Sequence, residues 1–130
     1  MGGKKMTTAE AKEMIKKEFM ESYLEWLKDE QEMPDDEYGR KYGWGKSPVG
    51  PHKDCFDSVK VFMEYVFAGR YLPGWVRQGY DKETIWALHR EGFLSYKNYS
   101  NWNARMRGQT DWFFITQKTA RAIYKEAKAA

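Results

Sequence analysis

Few residues in this chain have the types and the spacing that catalysis or metal binding requires. The segment GWGKS at residues 43–47 ends like a phosphate-binding loop, but the Walker spacing needs a glycine where Arg40 stands. His52 and Cys55 are three residues apart, as metal ligands often are. A zinc site needs two more such ligands, and outside this pair the chain has only His89. The sequence therefore predicts no metal site.

A nucleophilic pair is the remaining catalytic pattern. Cys55 lies near a predicted helix start, which lowers the pKa of a thiol, and His89 would be its base. No third group to orient the base and no oxyanion site accompany them. Asp35 and Asp36 stand in a Gly/Pro-rich segment, where a solvated loop explains them. We expect a protein that is not an enzyme and that uses no cofactor.

Binding chemistry is concentrated in one segment, KNYSNWNARMRGQTDWFFIT at residues 97–116. No acidic residue occurs from Gly92 to Thr110, although the chain of 130 residues has 19 acids. Cations among amides and aromatics can contact phosphates or a minor groove, and here they are Lys97, Arg105 and Arg107. Trp102 can stack on an unpaired base or anchor a protein partner. A solvated hairpin face explains the two arginines equally well.

The charge balance places any polyanion on the C-terminal half. Residues 1–53 carry 10 basic and 11 acidic side chains, whereas residues 54–130 carry 12 basic and 8 acidic ones. The net charge of +3 is small, which keeps a protein partner open. A lone cysteine and the absence of a long apolar run predict a soluble, cytoplasmic protein without a membrane segment.

The N-terminal part of the sequence predicts a tail, then a helix, then a segment that connects this helix to the rest of the chain. Residues 1–7 resemble a disordered or tag-like tail, and residues 8–31 have helical apolar spacing after a capping-box pair, Thr7 and Glu10. Residues 32–53 hold three prolines and four glycines, so we predict a linker or a functional loop there. Its aromatic residues suggest that part of it folds back on the core.

Residues 54–130 alternate between helical and strand patterns. Asp54 can cap the start of a helix that Gly69 ends. A short element follows, and Asp81 can cap a further helix over 82–91 that Gly92 ends. FLSYKNY and TDWFFIT then read as two strands joined by a turn near Gly108, and Thr116 caps a final helix. The predicted fold is mainly α with a small antiparallel β-hairpin, in one compact domain.

The order helix, short helix, helix, strand, loop, strand, helix resembles the winged-helix family of DNA-binding domains. TIWALHREGFLSYK is similar to that family's recognition helix running into its first wing strand. WFFITQKTARAIYKEA is similar to the second wing strand and the following helix, with Thr119 in place of the usual glycine. This resemblance covers about residues 54–128 and implies that the helix over 82–91 and the loop over 96–110 contact duplex DNA.

The residues alone support a similar hypothesis. A helix that buries Ile85 and Leu88 turns its other side chains outward, where cations and hydrogen-bonding groups can meet base edges in a major groove. For Trp86 a competing explanation is preferred over a base contact, namely that its ring packs between the long N-terminal helix and this core. The predicted DNA-binding residues are Lys82, Trp86, His89, Arg90, Lys97, Trp102, Arg105 and Arg107.

Two alternatives stay open. The same Trp/Arg-rich hairpin, or the aromatic segment 32–53, can serve a protein-interaction module such as an adaptor or a phage-type inhibitor. The long N-terminal helix either covers its own core or joins two copies in a homodimer, which would place two recognition helices on a two-fold site. A DNA-binding protein, with a role in transcription regulation, is the first hypothesis.

Overall fold

A computed structural model describes residues 5–48, 50–67 and 69–130, so the first four residues of the predicted tail lie outside the described residues. The described chain is mainly helical with one small antiparallel sheet, which confirms the predicted fold class. Its elements are α1 Thr8–Glu32, α2 Asp35–Tyr42, α3 Phe56–Tyr65, β1 Arg70–Tyr71, α4 Leu72–Arg77, α5 Lys82–Arg90, β2 Leu94–Asn98, α6 Trp102–Met106, β3 Asp111–Ile115 and α7 Gln117–Ala129. None of the described helices has both the length and the apolar character needed to cross a membrane.

Helix α1 begins where its sequence predicts. The hydroxyl of Thr7 accepts a hydrogen bond from the Glu10 backbone N–H, and the Glu10 carboxylate accepts one from the Thr7 N–H. One face of the helix is buried against α3, α5 and α7. This face holds Ala11, Ile15, Phe19, Tyr23, Trp26, Leu27 and Glu30. The apolar stripe of α1 therefore covers the core of its own chain.

The Gly/Pro-rich connection contains a helix that its composition did not predict. Helix α2 follows Pro34 and ends at Gly43, whose positive φ of 80° suits glycine. Tyr38 is fully buried, so the expectation that aromatics of this segment fold back on the core is confirmed. Its hydroxyl accepts a hydrogen bond from the Trp26 indole N–H at 2.9 Å and donates one to Glu30 Oε1 at 2.8 Å.

The start of α3 differs from the prediction. The N-cap residue is Cys55, and the carboxylate of Asp54 instead accepts hydrogen bonds from Tyr23 and Tyr124 and pairs with Lys128. These partners offer Asp54 stronger donors than a helix N-terminus, because one of them is a cation. The predicted Asp54 cap is wrong, and Asp54 joins α1 to α7.

Three further helix ends show how local signals compete with tertiary contacts. Asp81 stands at the N-cap of α5, but its carboxylate accepts from the Met6 backbone N–H at 2.8 Å, not from α5. Gly92 has a positive φ of 81° just after α5, as predicted. Thr116 caps α7 through a bond from the Thr119 N–H, also as predicted.

The sheet has three antiparallel strands in the order β1-β3-β2. Strand β3 is central and pairs with β2 from Leu94↔Ile115 to Asn98↔Asp111, the hairpin that the sequence predicts. Strand β1 adds two residues on the other side of β3, with Tyr71 opposite Trp112. Two residues carry too little pattern to be predicted as a strand. One face of the sheet buries Phe113 and Ile115, and α5 packs against that face.

Candidate nucleic-acid interface

The connection between β2 and β3 is a folded structure that contains the short helix α6. The Asn101 side chain accepts a hydrogen bond from the Ala104 N–H at 2.8 Å, which caps the helix. The Gln109 N–H donates to the Ala104 carbonyl at 2.8 Å, and Gly108 between them has a positive φ of 66°. The predicted turn residue is confirmed, and the connection holds a defined shape.

Because α6 is helical, its residues divide between two faces. Trp102 and Met106 are four apart and 72% and 68% exposed, and Arg105 lies beside them. Ala104 and Arg107 line a cavity between α6 and the sheet. The alternative explanation, in which one solvated strand face brings Arg105 and Arg107 together, is wrong, since residues two apart on a helix do not face each other.

The sheet surface below α6 is aromatic. Trp112 and Phe114 point away from the core, and their ring centroids are 6.4 Å apart. Tyr71 and Tyr99 extend this surface, with centroids 5.6 Å and 5.7 Å from that of Trp112. All four rings are half-buried. The indole N–H of Trp112 donates to the Gln109 carbonyl at 2.7 Å, which fixes the ring relative to the connection.

The charge on this surface is positive. Four cations on or beside it form none of the ion pairs found among the described residues: Arg77, Lys97, Arg105 and Arg107. Lys97 lies over the Tyr99 ring at 5.0 Å from its centroid, and Arg77 lies over Tyr71 at 5.1 Å. The nearby acid Asp111 accepts hydrogen bonds from Tyr96 at 2.5 Å and from Asn98 at 3.4 Å. The bond to Asp111 raises the pKa of Tyr96.

Helix α5 presents less cationic surface than its sequence suggests. Trp86 and His89 were expected to point outward, but they lie against the hairpin. The Trp86 centroid is 4.9 Å from that of Tyr96 and 4.8 Å from that of Phe113, and His89 Nδ1 lies 3.1 Å from the Leu94 carbonyl oxygen. Their rings are half-buried because the hairpin folds over this side of the helix. The competing explanation for Trp86, packing in the core, holds, although its neighbour is the hairpin and not α1.

The exposed side of α5 combines both signs of charge. Lys82 and Arg90 are exposed, as predicted, at the two ends of the helix. The acids next to them, Glu83 and Glu91, pair with Lys5 and with Lys12 of α1. Since α1 covers one flank of α5 and the hairpin covers the other, only a narrow strip of α5 remains open.

The residues considered for catalysis make separate contacts, and among the described residues no hydrogen bond or ring contact joins Cys55 to His89. Hydrogen bonds from the backbone and side chain of Ser58 lower the pKa of the Cys55 thiol, in the expected direction. His52 stacks on Trp26 with centroids 4.9 Å apart, and His89 contacts the hairpin. Within residues 5–48, 50–67 and 69–130, no three His, Cys, Asp or Glu side chains group as metal ligands would.

The sequence missed the aromatic surface under α6. TDWFFIT is apolar at four consecutive positions, so its alternation cannot show which side faces the core. The usable signal is that the strand has more large apolar residues than one of its faces can bury. Phe113 and Ile115 fill the core, and Trp112 and Phe114 are left for the outer face. Tyr71 lies in β1 and Arg77 lies in α4. Because both elements are distant in the sequence from residues 97–116, the sequence does not show that these two residues reach the same surface.

Comparison with known proteins gives no family: no protein-family model, no curated protein and no solved structure matches this chain.

Proposed function

We propose that this chain is a small, non-enzymatic DNA-binding protein whose main contact is the connection 99–110 together with the outer face of the sheet. The observation that carries the proposal is the set of four cations outside any described ion pair, grouped around exposed and half-buried aromatic rings. Cations supply affinity for phosphates, and aromatic faces stack on bases. Lys82 and Arg90 of α5 are secondary contacts in this proposal.

The element order supports a winged-helix-like arrangement of residues 54–130. Helices α3, α4 and α5 precede the hairpin, and α7 follows it, as in the resemblance drawn from the sequence. The proposal moves the principal contact from α5 to the hairpin. The reason is that the acids next to its two exposed cations, Glu83 and Glu91, pair with Lys5 and with Lys12 of α1.

This function is tested by measuring binding to one mixed-sequence DNA in duplex and in single-stranded form. Fluorescence anisotropy reports the binding at several salt concentrations. Replacing Arg105 and Arg107 with alanine should reduce the log–log salt slope by roughly 1.4 to 1.8, if each meets one phosphate. The matched control replaces Lys17 and Lys28, two exposed lysines of α1, and removes the same charge far from the hairpin. It should leave the slope nearly unchanged.

No binding to either DNA form at low salt would refute the function. A slope that falls equally in both double variants would show that net charge, and not the hairpin, governs binding.

One observation favours the alternative of a protein-interaction module. Trp102 and Met106 form an exposed apolar pair with Arg105 beside them, a composition typical of interface hot spots. If the wild-type chain binds no DNA, this surface becomes the leading candidate for a protein contact. An alanine replacement of Trp102 would then be the first variant to test against a candidate partner.

A further inference from the structure

A cavity of about 410 Å³ lies between α6 and the outer face of the sheet. Its floor is formed by Trp112 and Phe114, and one side is closed by Asn103 and Ala104 of α6 and by Arg107, which follows that helix. This volume is within the range of small-molecule sites, roughly 300 to 1,000 Å³. The cavity opens on the surface that carries the cations.

The floor of the cavity is flat and held in place. The Phe114 ring lies so close to Gly69 that a side-chain carbon at that position would overlap it, with the ring Cε1 2.6 Å away. Trp112 is fixed by its bond to the Gln109 carbonyl. Aromatic rings fixed in this way offer a stacking surface without the entropy cost of ordering them on binding.

The walls supply hydrogen-bonding groups of both kinds. Asn101, Asn103 and Gln109 line the cavity, and each amide has both donors and an acceptor. The Asn101 side-chain oxygen is used by the Ala104 N–H, so its NH₂ group remains for a ligand. Arg107 adds a cation, and none of the described residues lining the cavity is acidic. A ligand that fits is planar, hydrogen-bonding at its edge and attached to negative charge.

We propose that this cavity holds one unpaired nucleobase of a DNA strand, so that the chain binds single-stranded or locally opened DNA. The inference rests on the proposed function and specifies its substrate. A strand fits better than a free nucleotide because Arg107 lines the cavity itself, whereas Lys97 and Arg105 lie outside it. Cations beyond the cavity suit the phosphates on either side of a bound base.

The test fills the cavity without changing charge. Ala104→Leu puts a larger side chain into it and keeps a good helix former in α6. The control is Ala122→Leu, at an exposed position of α7. The probes are a mixed-sequence single strand, its duplex, the same strand with abasic sites, and a mononucleotide.

We expect the wild type to prefer the single strand to both the duplex and the abasic strand. Ala104→Leu should weaken single-strand binding by roughly 5- to 150-fold, the equivalent of one lost base stack, and should weaken duplex binding much less, while thermal stability stays the same. A 2-aminopurine base in the strand should lose fluorescence on binding the wild type and not the variant. Ala122→Leu should behave like the wild type.

Three outcomes overturn the inference, and they can be told apart. Equal binding of strand and duplex, with no effect of Ala104→Leu, removes the base site but leaves DNA binding. Mononucleotide binding as tight as strand binding makes a free nucleotide the ligand. Absence of binding to every probe refutes the proposed function together with the inference.

Discussion

At the scale of single residues, the hydroxyl of Tyr38 links two other buried polar groups. It accepts from the Trp26 indole and donates to Glu30, and all three side chains are buried. Among the described residues, nothing hydrogen-bonds the second carboxylate oxygen of Glu30, and His52 Nε2 is 3.8 Å from the first. Without the Tyr38 hydroxyl, both the Trp26 indole N–H and Glu30 Oε1 would lose the hydrogen bond that the structure gives them.

Replacing Tyr38 with phenylalanine should lower the free energy of unfolding by roughly 2 to 4 kcal/mol, because a buried indole N–H and a buried carboxylate both lose a partner. Urea denaturation followed by circular dichroism measures the loss. Tyr42→Phe is the matched control, since its acceptor Asp29 keeps Lys41 as a partner. Equal losses in the two variants would contradict the special role of the Tyr38 hydroxyl.

At the scale of elements, β3 and the chain just before β1 meet through a close contact that depends on a small residue. Gly69, just before β1, lets the Phe114 ring of β3 approach the main chain. The sequence suggested a different use for this glycine, as the end of the preceding helix. The structure has Val66 at the C-cap of α3.

Gly69→Ala should therefore lower the free energy of unfolding by roughly 1 to 3 kcal/mol, as overpacking does. Gly45→Ala is the control, because a side-chain carbon at that exposed position meets nothing within 4 Å. Its effect should stay within about 0.5 kcal/mol. A neutral Gly69→Ala variant would mean that the Phe114 ring moves aside without cost.

The sequence predicted elements well where local signals and tertiary contacts agree. The Thr7–Glu10 capping box and Gly92 mark helix ends through bonds or backbone angles that neighbouring residues determine. Asp54 and Asp81 failed as caps because distant residues provide partners for their carboxylates. Helix α6 was missed since five residues show no periodicity. The cavity was missed because it exists only where α6, β3 and Gly69 meet in the folded chain.

At the scale of the whole molecule, α1 unites the fold by contacting α3, α5 and α7. The homodimer suggested by its apolar stripe forms no part of our proposal, because the chain itself buries that stripe. Asp54 completes the assembly from the other side. It accepts from Tyr23 of α1 at 3.1 Å and from Tyr124 of α7 at 3.0 Å, and it pairs with Lys128.

This arrangement predicts how stability depends on pH. Burial alone would raise the pKa of Asp54, but hydrogen bonds from Lys128, Tyr124 and Tyr23 outweigh it and lower the pKa below its ordinary value. The unfolded chain therefore takes up the proton more readily than the folded protein does. The contribution of Asp54 to stability is complete above about pH 5 and is lost as the pH falls below about 4.

Asp54→Asn should lower stability near neutral pH and flatten the fall of stability between about pH 5 and 3. Urea denaturation across this range is the measurement. Glu21→Gln, at an exposed position of α1, is the control and should keep the wild-type pH profile. A profile of Asp54→Asn that parallels the wild type would show that other carboxylates account for the acid sensitivity.

The exposure of Trp102 gives the protein an optical probe of its own. Of six tryptophans, Trp26 and Trp75 are fully buried, and three others are half-buried. Trp102 alone among them is largely open to solvent, at 72%. A dissolved quencher thus reaches its indole first, and iodide, being an anion, is drawn there by Arg105. Emission from this single side chain reports on whatever covers α6, without a label on the protein.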